Sequence, residues 1–210
     1  MNDFILNIII LAPPILMALT FHEFSHGYVA YRLGDPTAKN LGRLTLNPLK
    51  HLDPFGTLAF FIIRFGWAKP VPVNPNYFQN PPKGMLWVAL AGPAVNLILA
   101  IICAFLTKLT IAVYPFIAHY PLAHSILLPL RIFFEVSVEI NLILCIFNFL
   151  PIPPLDGSKI VAGLLPPDMA RSYASLERYG FIIILILAFS KVLSNVLFPI
   201  VNFGKDFLLS

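Results

Sequence analysis

Long apolar stretches divide the chain into four candidate membrane spans, at residues 4–31, 85–107, 125–150 and 179–201. In the first, the only ionisable side chains are His22, Glu23 and His26. As a helix it would rise about 42 Å at about 1.5 Å per residue, and a bilayer core of about 30 Å needs roughly 20 residues. Pro13-Pro14 predicts a kink or a delayed start in this span. A shorter run at 55–63 lacks the length to cross and is expected to enter the membrane and return. Gly34-Asp35-Pro36 signals a turn, and 41–47 alternates in part like a strand. The prolines of Trp67-Ala68-Lys69-Pro70-Val71-Pro72-Val73-Asn74-Pro75 forbid a helix and permit extended or edge backbone. The pattern predicts an all-α integral membrane protein with one domain over 1–210. It has about four full transmembrane helices and a re-entrant or hairpin element, with short extended segments, at about 41–75.

Composition narrows the class. Of 210 residues, 58 % are hydrophobic and 11 % charged, whereas a soluble domain carries roughly 25 % charged residues. An ordinary soluble enzyme, a disordered chain and a nucleic-acid binder are excluded. The net charge of +4 needs no polyanionic partner, because its sources fall in particular loops. Arg32, Lys39, Arg43, Lys50, Lys69 and Lys83 lie between the first two full spans, and Lys159, Arg171 and Arg178 between the last two. Only Lys108 lies between the second and third. The positive-inside rule puts both basic loops in the cytoplasm and the N-terminus outside, provided 52–84 returns to the side it left. No basic residue precedes the first apolar run, which reads as a retained membrane helix and not a cleaved leader. Cys103 and Cys145 sit in apolar runs and read as small buried hydrophobes.

Chemistry concentrates in the first span. His22-Glu23-Phe24-Ser25-His26 fits H-E-x-x-H, a pattern expected by chance about 0.002 times in a chain of this composition. On a helix, positions i and i+4 share a face, so His22 and His26 can ligate one Zn²⁺. Glu23 stands one step round, placed to take a proton from a water that the metal activates. A catalytic zinc takes three protein ligands. His119 and His124 belong to the outer loop and are on the wrong side. His51 is on the right side, but Lys50 and Asp53 beside it suggest a surface loop. Asp156 is the better candidate: it follows Pro151-Ile152-Pro153-Pro154-Leu155, which breaks the third span at its cytoplasmic end, and Gly157 permits close backbone approach. The competing role for Asp156 is a helix cap.

These residues carry a resemblance. The chain resembles the site-2 protease family of intramembrane zinc metalloproteases, in its short form without a PDZ domain. The matching stretches are His22 to His26, Asn47-Pro48-Leu49-Lys50-His51, Gly66 to Val73, Gly92-Pro93-Ala94-Val95-Asn96, and Asn148-Phe149-Leu150-Pro151 through Leu155-Asp156-Gly157. The resemblance implies His22, His26 and Asp156 as ligands of one Zn²⁺ and Glu23 as catalytic acid/base. It assigns Asn148 to substrate or oxyanion contact and groups Asn96, of the glycine-proline-asparagine motif, with it as substrate-binding, the competing role for Asn96 being a helix–helix hydrogen bond. It implies an endopeptidase that cuts transmembrane segments of other proteins near the cytoplasmic side, in regulated intramembrane proteolysis. The lipid bilayer and a transmembrane protein are the expected partners, and the expected location is a prokaryotic cell (inner) membrane. A membrane metal-binding or transport protein would use the same His/His/Asp set, but leaves Glu23 and the proline segment without a role.

Two finer expectations follow. The alternation Lys69-Pro70-Val71-Pro72-Val73 suits an added-strand pairing with an unwound substrate, or a structural edge lying on the membrane surface. Arg131, Glu135 and Glu139 recur on one face of the third span, and counting depth from the cytoplasmic ends pairs Glu139 with Lys191 in the fourth.

Overall fold

Asn80 shows how the helices start: its side chain accepts the Lys83 N–H at 3.2 Å, and Pro81-Pro82 follow it where no N–H is needed. From there α4 runs Pro81–Ile117. It is the central element of a computed structural model that describes residues 2–63 and 66–210. The first helix, α1, spans Asn2–Arg32 and runs through Pro13-Pro14 without a break in its assignment. It stops where Gly34 takes a positive φ of 106°. A short α2 (Thr37–Asn40) and α3 (Pro54–Ile63) follow. After α4, α5 covers Pro121–Asn148 and ends just before Pro151. Then come α6 (Asp156–Leu164), α7 (Pro167–Ala174), α8 (Glu177–Phe189) and α9 (Val192–Leu209).

Small residues let these helices approach. Ala100, Cys103 and Ala104 of α4 pack with Val138 and Leu142 of α5 and Val201 of α9, with Met17 of α1 against the cluster. Small side chains at such crossings replace the hydrophobic driving force that lipid removes. Facing outward, Phe105, Phe116, Phe189, Phe203 and Phe207 are exposed. A water-soluble surface does not carry so much bare aromatic area. Among the described residues, three helices are long and apolar enough to cross a membrane: Ile8–Arg32, Pro81–Ile117 and Val192–Leu209. The chain is an integral membrane protein.

The expected all-α architecture is present, with no β-strand among the described residues. Residues 43–52 and 66–74 do lie side by side, but only as an isolated antiparallel bridge between Leu52 and Ala68. The Lys69 N–H donates to the His51 carbonyl at 2.8 Å, and Arg43 donates to the Lys69 carbonyl at 2.8 Å. The ladder grows no further because the next amide on the Lys69 edge, that of Val71, donates to the Glu23 carboxylate instead. The same packing overturns the surface-loop reading of His51, which is buried and donates from Nε2 to the Thr45 carbonyl at 2.8 Å. Cys103 and Cys145 are buried, as expected.

The stretch 179–201 is not one continuous helix. It breaks between α8 and α9, where Lys191 adopts a left-handed backbone (φ 61°). This break shifts the register of everything after it. Glu139 accordingly pairs with Lys205, at 2.5 Å, and the ion pair expected with Lys191 is corrected. Lys191 stands at the start of α9 and Lys205 near its end, about 21 Å further along at about 1.5 Å per residue. Arg131 and Glu135 pair within α5 at 2.7 Å. Removing one partner of the interhelical pair, as Glu139→Gln or Lys205→Met, is expected to cost about 1 kcal/mol. That lowers the thermal midpoint in detergent by about 2–4 °C, and the double variant should recover part of the loss.

Candidate metal centre

The H-E-x-x-H pattern sits on α1, about 9–15 Å from the helix end at Arg32 by helical rise. His22 and His26 fall on one face and their rings pack edge to face, with centroids 4.6 Å apart. That face turns toward α4 at Gly92, where a Cβ would come within 2.5 Å of both His22 Cε1 and His26 Nε2. Glycine at 92 is thus what lets the two imidazoles occupy the crossing.

Asp156 arrives from the other direction. After α5 ends, the proline segment turns back, and Asp156 becomes the first residue of α6. A Cβ on Gly157 would lie 2.3 Å from the Phe149 carbonyl and 2.4 Å from that of Leu150, so only glycine permits this turn. Leu155, not Asp156, is the cap of α6, and no side-chain cap bond forms. The carboxylate instead reaches the histidines: Asp156 Oδ2 lies 3.1 Å from His22 Nε2 and 3.2 Å from His26 Nε2. The two Nε2 atoms are 3.0 Å apart. All three side chains are buried, at 5 %, 8 % and 5 % exposure for His22, His26 and Asp156. Lys159 Nζ stands 3.7 Å from the other carboxylate oxygen.

Proton placement decides what this triangle can hold. His22 Nδ1 donates to Asn96 Oδ1 at 2.6 Å, and His26 Nδ1 donates to the Val88 carbonyl at 2.7 Å. A carbonyl only accepts, so each ring keeps its proton on Nδ1. Both Nε2 lone pairs are then bare and aim at one point with a carboxylate oxygen. Tetrahedral zinc at about 2.0–2.1 Å sets donor–donor edges of about 3.3–3.4 Å, within a few tenths of an ångström of the three edges observed. The donor set of two imidazoles and a carboxylate is that of a catalytic zinc with one open position.

Glu23 stands beside the triangle, and its Oε2 accepts the Val71 N–H at 2.7 Å. The segment that carries Val71 is tied down again where the Asn74 N–H donates to Asp35 Oδ2 at 2.7 Å. Asn96 is fully buried and bonded to His22. Asn148 ends α5 and donates to the Leu144 carbonyl of its own helix at 3.0 Å. Sequence reasoning missed two backbone participants, the Val88 carbonyl and the Val71 N–H. Residue identity gives no signal for either, because any residue type but proline supplies both groups.

A family model described as Peptidase family M50 matches residues 10–126. The chain belongs to peptidase family M50. It is 44 % identical over 195 residues to a Bacillus subtilis protein provisionally named zinc metalloprotease YwhC, covering 93 % of this chain and 87 % of the relative. It is 33 % identical over 197 residues to a Mycolicibacterium smegmatis protein provisionally named zinc metalloprotease Rip2, covering 91 % and 71 %. The Mycobacterium tuberculosis protein of that name is 30 % identical over 197 residues, with the same coverage. No solved structure matches the chain. M50 is a family of intramembrane metalloproteases, and the His22, His26 and Asp156 cluster is one that could hold its zinc.

Purified chain is expected to retain about one zinc per molecule. His22→Ala, His26→Ala and Asp156→Asn should each cut the zinc content to about a tenth or less. Gly92→Ala should do so with all three donors intact, because its Cβ has no room beside the rings. Elemental analysis of detergent-purified protein checks all four.

Proposed function

We propose that this M50 chain is one metallopeptidase domain that hydrolyses peptide bonds of transmembrane segments near the cytoplasmic face. The observation that carries this reading is the convergence of two bare imidazole nitrogens and a carboxylate oxygen beside Glu23. His22, His26 and Asp156 would hold the Zn²⁺, which when bound acts as a Lewis acid on water and on the substrate carbonyl.

The protein's own groups do the proton work. One oxygen of Glu23 is committed to the Val71 N–H, which fixes the carboxylate plane and leaves proton transfer to the other. Glu23 accepts a proton from the attacking water as its oxygen bonds to the scissile carbon. It then gives that proton to the amine nitrogen as the C–N bond breaks. Asn148 serves as a donor to the substrate carbonyl once its bond to the Leu144 carbonyl opens. Asn96 does not suit substrate contact, because it is fully buried and its oxygen is occupied by His22. Its place is behind the ligand.

A transport site would need the same donors. It would not need a carboxylate oriented by a backbone amide outside the donor set, and that contact favours hydrolysis. The topology that suits the charges has four crossings, by α1, α4, α5 and the α8–α9 segment. In it α3 enters and returns, the N-terminus is outside, and the chain is a multi-pass protein of the bacterial inner membrane. Residues 67–74 then lie at the depth of the site. In extended backbone the amides of Val71 and Val73 share one edge, and Pro70 and Pro72 leave the opposite edge without donors. The donor edge is the one that meets Glu23, where an unwound substrate strand would arrive.

Glu23→Gln is expected to keep zinc within about twofold and lower cleavage of a model transmembrane peptide by about 10²–10⁴-fold. Equal zinc with undiminished cleavage would remove Glu23 from the chemistry. Val71→Pro deletes the amide that holds Glu23 and should lower kcat by about tenfold. Val73→Pro leaves that bond alone, so a slower reaction there, seen as a higher KM, reports substrate pairing. For topology, a cysteine at Asn76 should react with an impermeant thiol reagent only from the cytoplasmic side, and one at Tyr120 only from outside.

A further inference from the structure

His22 can ligate only if its proton stays on Nδ1, and that depends on which end of the Asn96 amide faces it. An amide presents a carbonyl on one side and an NH₂ on the other, and its own chemistry does not choose between them. Turned round, Asn96 would offer NH₂ to Nδ1. Nδ1 would then have to accept, and the imidazole proton would move to Nε2, the atom aimed at the metal.

The choice is made by two acceptors that face its other end, of which Asn141 is the nearer. The Asn96 NH₂ donates to Asn141 Oδ1 of α5 at 2.9 Å and, at a longer 3.3 Å, to the Ala18 carbonyl. Asn141 is itself fixed, because its NH₂ donates to the Ser137 carbonyl at 2.8 Å. A backbone carbonyl never donates, so Asn141 has only its oxygen left for Asn96. Polarity thus runs one way, from the Ser137 carbonyl through Asn141 and Asn96 to His22 Nδ1. Both asparagines have 0 % exposure, so bulk solvent does not reach them.

We propose that Asn141 is a positioning residue for metal binding: it fixes the polarity of Asn96 and thereby holds His22 in the tautomer whose Nε2 is free to ligate. The proposal rests on the reading of His22, His26 and Asp156 as a metal centre. A role in α4–α5 packing alone would leave the His22 tautomer, and hence the metal, untouched.

The test measures zinc dissociation by chelator competition, and the visible spectrum of the Co²⁺-loaded chain, in detergent. Asn141→Leu keeps the volume and removes the acceptor. Asn141→Asp keeps the relay, since a carboxyl at this depth stays neutral and still accepts from Asn96 while donating to the Ser137 carbonyl. Asn141→Leu is expected to weaken zinc by about tenfold or more and to alter the cobalt spectrum. Asn141→Asp should stay within about threefold of wild type, and Asn96→Leu with Asn141→Leu should be no weaker than Asn96→Leu alone. Wild-type zinc affinity and an unchanged spectrum in Asn141→Leu would overturn the proposal, as would equal losses in the Leu and Asp variants. If Asn141→Leu does not fold, Asn141→Ser replaces it, being too short to reach Asn96 and tolerated in membrane helices, with the same deciding outcomes. A wild-type chain that binds no zinc overturns the metal-centre reading itself, which separates the two failures.

Discussion

Two unprotonated imidazole nitrogens and a carboxylate oxygen lie about 3 Å apart in a buried crossing of three helices. Without a cation, their lone pairs repel at short range in a medium that screens little. A divalent ion turns the same arrangement from a cost into a binding site. Much of the local structure answers to this constraint. Gly92 gives the imidazoles room, Gly157 lets α6 double back under α5, and the prolines between them end α5 at the depth of the histidines.

The site also shows how a helix in lipid can be polar on one side. Every amide and carbonyl at membrane depth needs a partner inside the protein. For the two histidines, the partners are the Val88 carbonyl and the Asn96 amide, both on α4. Glu23 points elsewhere, and its partner is the extended segment at Val71. One helix thus divides its polar groups between two neighbours. The donors of the candidate metal centre face the tightly packed α4, and Glu23 faces an extended segment held by single hydrogen bonds. That division would suit the two proposed tasks, a ligand that must not move and a proton carrier that must meet an incoming chain.

How much of this was legible in the sequence depends on whether the signal is a side chain or a relation. H-E-x-x-H pointed through residue type and helical spacing to two imidazoles on one face with a carboxylate beside them, and the structure brings the imidazoles together. Asp156 was reached through an expected topology, in which the basic loops mark the cytoplasmic ends of the spans, and it does meet the two histidines. Helices at 4–31, 85–107 and 125–150 followed from apolar length and reappear in α1, α4 and α5. The misses were relational. Nothing in residue type distinguishes a surface His51 from one buried over the Thr45 carbonyl. The break at Lys191 has no glycine or proline within several residues to announce it. Once that break was missed, counting depth along an unbroken helix matched Glu139 to the wrong lysine.

The irregular segment at 66–74 is the feature that most separates this protein from a plain helical bundle. Its amides at Lys69, Val71 and Asn74 are bound by the His51 carbonyl, Glu23 and Asp35. Pro70, Pro72 and Pro75 have no amide to satisfy. Proline is therefore the device that lets non-helical backbone sit against a membrane helix with few donors left to satisfy. It also bars a second strand from pairing on the proline side, so the segment has one usable edge. The donor that edge offers at Val71 is already turned to Glu23, so a substrate pairing there would meet the acid/base and the backbone donor at the same place. Recognition of an extended chain and positioning of the proton carrier become one local arrangement, built from a helix face and a proline-spaced strand too short to form a sheet.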